Sequence, residues 1–366
     1  MQVSHARRRW LAALSLGALA GRLSASPPTL RPVVQSARLL RRWPTGNNEL
    51  SPPAPTAEGL VCAGDTTICL IDATAAVPRW QHPHELPGGV VFRPRVANGI
   101  VVAGGQQAIG AWRSSDGAPL WRQPANIEIG TPWVDTGQIC HGDGHELVCR
   151  ELDDGRERWR FAVEAGNKIS YAPVIAADTV YVGPGDGCLY ALDRHTGRLR
   201  WQIDGRQAWQ YLRQLHVSDG LLIAGTYTER LVAFDLQDGQ PRWQFSAGNF
   251  INSHHVADGV AYLWSPTGWL YALDAASGQL RWRLRTTDYR DSVDNWAAIH
   301  AELVTDAHWL YALDLAPQLH VIDKISGQER LRVDFPEAVL PFVVPLGEGR
   351  IACGAETGDL LLLSVG

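Results

Sequence analysis

Four histidines are the first candidates for chemistry. His254 and His255 follow Asn252 and Ser253 on a run that reads as the innermost strand of a repeat unit. His216 and His300 fall at the corresponding places in the neighbouring units. Imidazoles from three adjacent strands can converge to bind a divalent metal or to pass protons near neutral pH. Successive side chains on a strand point to opposite faces, so only one of His254 and His255 is expected to point inward. The expected channel cluster is therefore His216, His254 and His300, against the plainer reading of three separately packed structural histidines.

Other chemistry-bearing motifs read as architecture. His141-Gly142-Asp143-Gly144-His145 holds two imidazoles and a carboxylate, but Asp-Gly is a hairpin signal and the segment is read as a turn. Gly183-Pro184-Gly185-Asp186-Gly187 is glycine-rich yet opens no helix, so it is no nucleotide fingerprint. Asp288, Asp291, Asp294 and Asn295 are oxygen donors for calcium, but their spacing is not that of an EF-hand loop. No metal is assigned from any of these. The six cysteines include two pairs that a two-residue turn sets opposite each other. A turn at Asp65-Thr66 pairs Cys62 with Cys69, and one at Gly144-His145 pairs Cys140 with Cys149. Each pair is either a disulfide or two buried free thiols.

Three segments break the surrounding pattern and concentrate aromatic, arginine and acidic groups. They are 207–213 with Trp209, Tyr211 and Arg213, 249–252 with Phe250 and Asn252, and 287–296 with Tyr289, Arg290, Asp291 and Trp296. Loops of that composition on a rigid scaffold are where recognition is expected, and these residues form the candidate binding face.

What must position them is a repeat. Glycine is followed four residues later by tryptophan at Gly117/Trp121, Gly155/Trp159, Gly197/Trp201, Gly239/Trp243 and Gly278/Trp282. Trp43 and Trp80 extend the series at one end and Leu331 at the other, which makes eight units. The step from Trp282 to Leu331 is 49 residues, against 42 for the steps ending at Trp201 and Trp243. Ahead of most anchors an apolar strand ends in an acid, as in Leu189-Tyr190-Ala191-Leu192-Asp193, so aspartate and glycine together specify a tight hairpin. One full unit reads as strands at 170–176, 179–183, 188–193 and 199–203. Four strands per unit at a period near 40 residues predict an all-β, eight-bladed propeller. Residues 38–43 form an outer strand lacking inner partners and 358–365 a third strand lacking an outer one, so the termini are expected to pair and close the ring.

The chain is 45% hydrophobic and 19% charged, which excludes disorder. Arg7-Arg8-Arg9 ahead of an apolar run reads as an export signal over residues 1–25, secretory or twin-arginine. A linker over 26–37 and a single domain over 38–366 follow. Cleavage there removes four arginines and no acid, taking the formal charge from −5 to −9. Such a surface excludes a basic nucleic-acid face. The expectation is a periplasmic or secreted monomer without a transmembrane span.

The pattern Leu189-Tyr190-Ala191-Leu192-Asp193 followed by Gly197-Arg198-Leu199-Arg200-Trp201 resembles the pyrroloquinoline-quinone (PQQ)-type propeller repeat, over about residues 38–365. That family includes quinone-dependent alcohol dehydrogenases and BamB-like scaffolds of the cell envelope. The resemblance implies one of two functions. A non-enzymatic scaffold would bind an envelope protein partner through one face. The alternative is an oxidoreductase using PQQ or a divalent metal at the channel mouth. The dehydrogenases are longer and carry an adjacent Cys-Cys pair that this sequence lacks, so no catalytic residue is carried over and the scaffold is favoured. No cysteine precedes Cys62, so no lipid attachment site is expected behind the signal.

Overall fold

The computed structural model describes residues 32–72, 77–164, 167–209, 212–248, 253–265, 267–286, 303–314 and 318–365. Eight antiparallel sheets are arranged as the blades of a propeller. Blade 1 contains Ala54–Thr56, Gly59–Ala63, Thr67–Ile71 and Trp80–Pro83, and blade 4 contains Val174–Ala176, Thr179–Val182, Cys188–Asp193 and Leu199–Asp204. The innermost strand of blade 4 is shorter than the 170–176 expected, ending its pairing at Val174. Pro173 supplies no N–H to extend that ladder.

Blade 2 has three strands, one of them the 14-residue Ile100–Arg113. This strand doubles back on itself. Gln107 takes φ 58° at the reversal, and Ser114 N–H donates to Gly99 O at 2.8 Å, which brings the two ends together. Its halves fill both central positions of the blade.

Hydrophobic residues are not gathered at one centre. They form eight wedges, each shared by two neighbouring blades, because strand alternation turns one face of every sheet toward the blade before and the other toward the blade after. Thus Ile139 packs toward blade 2, while its neighbour Cys140 packs toward blade 4. The wedge holding Trp43, Leu60, Ile71, Phe342 and Leu360 joins the last blade to the first. Ring closure is as expected: Arg38–Trp43 pairs antiparallel with Leu360–Ser364.

The repeated glycine and tryptophan meet across blades. Trp159 of blade 3 lies against Gly197 of blade 4, where an added Cβ would stand 2.6 Å from the indole. Trp159 Nε1 donates to Arg194 O in the same turn at 2.8 Å. Trp80, Trp121, Trp243 and Trp282 repeat this contact with Gly117, Gly155, Gly278 and Gly327 and donate to Ser114, Leu152, Ala275 and Lys324 carbonyls. The turn itself is held by Asp193, whose Oδ1 accepts from the N–H groups of His195 and Thr196. Gly197 adopts φ 68°, a region that side chains disfavour. Gly197→Ala therefore combines backbone strain with a clash and should cost about 1–3 kcal/mol, read as a lowered urea midpoint at unchanged m-value.

One strand lies outside the repeat. Val33–Ser36, within the segment assigned to the linker, pairs parallel with Leu331–Asp334 on the outer edge of blade 7. It thus covers the edge of the blade whose anchor is Leu331 instead of tryptophan.

Candidate functional site: one propeller face and the central histidines

Because the strands of each blade alternate in direction, the turns joining second to third strands and the crossings between blades emerge on one face. The aspartate–glycine turns emerge on the other. The described part of segment 207–213 lies in one such crossing, on the first face. Of the residues of the three candidate segments, Tyr211, Phe250, Asn252, Tyr289, Arg290, Asp291 and Trp296 lie outside the described residues, as do Asp288, Asp294 and Asn295.

Trp209 and Arg213 are described, and they differ. Trp209 is 3% exposed, packed edge-on against Phe234 with ring centroids 5.3 Å apart. Gly205 gives it room, since a Cβ there would fall 1.9 Å from the indole. Trp209 is thus a core side chain of the wedge between blades 4 and 5, which corrects its assignment to a binding surface. Arg213 is the second residue of the innermost strand of blade 5, Leu212–Ser218, and its guanidinium lies 5.7 Å above the Tyr227 ring. Tyr227 is 44% exposed in the neighbouring turn of the same face. Val91 and Phe92, exposed by 51% and 37%, stand on the crossing from blade 1 to blade 2 and share that face. Sequence reading missed these three, and the available signal was an aromatic or apolar residue at a turn where the repeat places polar ones.

Below this face the histidines cluster, though not as expected. His254 lies on the innermost strand of blade 6, Ser253–Ala257, and its ring meets His216 of blade 5 edge to face at 5.1 Å. His255 also contacts His216, at 6.0 Å, so both members of the dipeptide take part. Alternation still holds along the strand, since His254 bonds to blade 5 and His255 to blade 7. His300 lies outside the described residues.

His254 Nε2 is 2.9 Å from Gln214 O, and His255 Nε2 is 3.1 Å from Thr305 Oγ1 of blade 7. These bonds tie three innermost strands together around the axis. Burial, then the neighbouring His255 and Arg95, push the His216 pKa down to about 4, and burial lowers His254 well below its ordinary value. Both rings are therefore neutral near pH 7. Among the described residues no group of three His, Cys, Asp or Glu side chains stands in metal-binding geometry.

The remaining motifs resolve into structure. His141 is fully buried and accepts from Arg150 Nε at 3.2 Å. Burial holds its pKa down to about 4. Asp143 Oδ1 accepts from the N–H groups of Asn126 and Ile127, and the turn falls at Gly144-His145 as expected. Cys62 faces Cys69 and Cys140 faces Cys149 in the expected registers, all as free thiols.

Comparison with known proteins agrees with this architecture. The PQQ_2 family, described as "Outer membrane protein assembly factor BamB", matches residues 64–203, 107–258, 204–297 and 266–361. Curated relatives described as outer membrane protein assembly factor BamB include one from Bordetella pertussis, 24% identical over 163 residues, covering 43% of this chain and 41% of the relative. Another, from Moranella endobia, is 27% identical over 186 residues, covering 47% of each. The chain thus spans less than half the length of the curated relatives it matches. Among solved structures, BamB from Moraxella catarrhalis superposes with a TM-score of 0.66 at 17% identity, covering 90% of this chain and 99% of that one. The computationally designed Ika8 protein gives 0.72 at 15% identity, covering 90% and 99%, a likeness of fold. With its matches running from residue 64 to residue 361, the chain belongs to the PQQ_2 family of BamB-type propellers.

Proposed function

We propose that the protein is a protein-binding scaffold of the cell envelope, serving outer membrane protein assembly by presenting one propeller face to an envelope partner. Residues 1–25 serve as its export signal and the domain works in the periplasm. The observation that supports the reading is the exposure of Val91, Phe92 and Tyr227 on the face formed by the crossings between blades. Exposed apolar and aromatic side chains rimmed by charge are the usual anchors of a protein interface. The opposite face carries the aspartate–glycine turns.

Charge introduced at an apolar contact should abolish binding without touching the core. Phe92→Asp combined with Tyr227→Asp is expected to lose a partner recovered from envelope extracts, while Ile325→Asp on the opposite face retains it. Equal recovery by both variants would overturn the assignment of the face. The alternative oxidoreductase reading makes a separate demand on the purified protein: saturable binding of PQQ or a divalent metal that is lost in His254→Ala.

A further inference from the structure

The two cysteine pairs are chemically different, although the sequence presents them alike. In blade 3, Leu152 N–H donates to Gly137 O at 3.1 Å, which marks residues 137 and 152 as a hydrogen-bonded pair of the ladder between Gln138–Asp143 and Glu146–Glu151. Hydrogen-bonded and non-hydrogen-bonded pairs alternate along an antiparallel ladder. Counting along the register, Cys140 and Cys149 occupy a non-hydrogen-bonded pair. In blade 1, Gly64 N–H donates to Thr67 O, so the same count puts Cys62 and Cys69 in a hydrogen-bonded pair. The Cα atoms of the former type are about 4.5 Å apart and those of the latter about 5.5 Å, and a disulfide needs Cβ atoms about 3.5–4.5 Å apart. Only the blade 3 pair sits at the closer spacing.

The sulfur environment adds a second observation. Cys140 and Cys149 Sγ atoms are 2.9 Å apart and fully buried. The buried amide of Gln138 donates through Nε2 to both sulfurs, at 3.4 and 3.1 Å. Its orientation is fixed from the other end, because Oε1 accepts from Arg158 Nη1 and Arg194 Nε. In the packed wedge burial nonetheless raises the Cys140 pKa well above its ordinary value, with the Gln138 donor only partly opposing it, so the thiolate that exchange requires is available while the blade is open.

We propose that Cys140 and Cys149 form an intrachain disulfide, installed while blade 3 is still open, and that Cys62 and Cys69 remain thiols. In the reaction a thiolate of the pair attacks a disulfide oxidant, forming a mixed disulfide and releasing one oxidant thiol. The second cysteine, deprotonated, displaces the other oxidant thiol and closes the Cys140–Cys149 bond. The protein loses two electrons and two protons, and the oxidant is reduced to its dithiol. Because the folded sulfurs have no exposed surface, the oxidant must arrive before the wedge between blades 3 and 4 packs.

The inference concerns the chain itself and stands apart from the scaffold reading, so its test is done in vitro. The full chain, unfolded and refolded in a buffer of oxidised and reduced glutathione, is denatured with an alkylating agent and digested without reductant. The expected products are four alkylated cysteines and one peptide pair linking positions 140 and 149, of the six cysteines in the chain. Alkylation of all six, or a link between 62 and 69, would overturn the proposal. Reduced protein already folded is expected to resist the same oxidant at least tenfold longer than protein that is refolding. Equal rates would overturn the stated order of events. Cys140→Ala with Cys149→Ala should remove the linked peptide pair while leaving the other four cysteines alkylated; persistence of a linked pair would also overturn it.

Discussion

Replacing His320 with alanine should lower the stability of the propeller by about 3–5 kcal/mol, the cost of stranding buried charge. The imidazole is fully buried in blade 7, with Nδ1 2.6 Å from Glu329 Oε1 and Nε2 3.4 Å from Asp314 Oδ2. Arg332 completes the network through two bonds to Glu329, at 2.9 and 2.7 Å. Burial opposes charge on the ring, but the hydrogen bonds it donates to Asp314 and Glu329 outweigh it and raise the His320 pKa above 6.5. Burial likewise opposes charge on Glu329, and the bonds from His320 and Arg332 win, lowering its pKa below 4.5.

The two shifts bound a pH window. The raised histidine contributes stability in full below pH 6.5, and loses it as pH rises through the folded value. The lowered glutamate contributes in full above pH 4.5, and loses it as pH falls through its folded value. The difference in unfolding free energy between the native protein and His320→Ala should therefore be greatest between these limits and shrink on both sides. His320→Gln, which keeps a donor without the charge, should lose less and flatten the profile. Urea titrations at a series of pH values measure all three, and a difference independent of pH would contradict an ionised network.

Trp159→Ala should cost a similar amount, about 3–5 kcal/mol for a large buried aromatic. The change empties the slot over Gly197 and leaves Arg194 O without its donor at the seam between blades 3 and 4. Trp159→Phe keeps most of the ring and removes the N–H, so it should recover all but about 1–2 kcal/mol. Thermal and urea unfolding distinguish these outcomes. Equal losses for both variants would mean that the hydrogen bond, not the packing, holds the seam.

These two sites show why part of the molecule was legible in its sequence. The Gly197/Trp201 spacing repeats because each blade must offer a bare turn to the tryptophan of the blade before it, a constraint on every unit that survives as periodicity. The same logic made the ring closure between Arg38–Trp43 and Leu360–Ser364 readable, since each segment lacked partners of its own. Register in the hairpins at Gly144 and Asp65 followed from two-residue turns, which fix every pair behind them.

What escaped was non-periodic. Val33–Ser36 pairs with residues almost a full chain length away and carries no signal that its partner is Leu331–Asp334. Trp209 resembled a surface aromatic because its loop breaks the pattern; its burial depends on Gly205 and Phe234, which meet it only in three dimensions. The participation of His255 depends on where the neighbouring strand places His216, which alternation along one strand does not determine. Tyr227, Phe92 and Val91 went unnoticed for the opposite reason: single apolar residues in turns are common in sequence, and only the topology gathers them on one face.

That face is the centre of the functional reading, and photo-crosslinking in living cells tests it most directly. A photoreactive amino acid is placed at Tyr227, at Phe92 and, on the opposite face, at Ile325, and the adducts are identified by mass spectrometry. A scaffold that binds through the loop face should give the same envelope protein from positions 227 and 92 and none from 325. Adducts from Ile325 alone, or none from either position on the loop face, would contradict it.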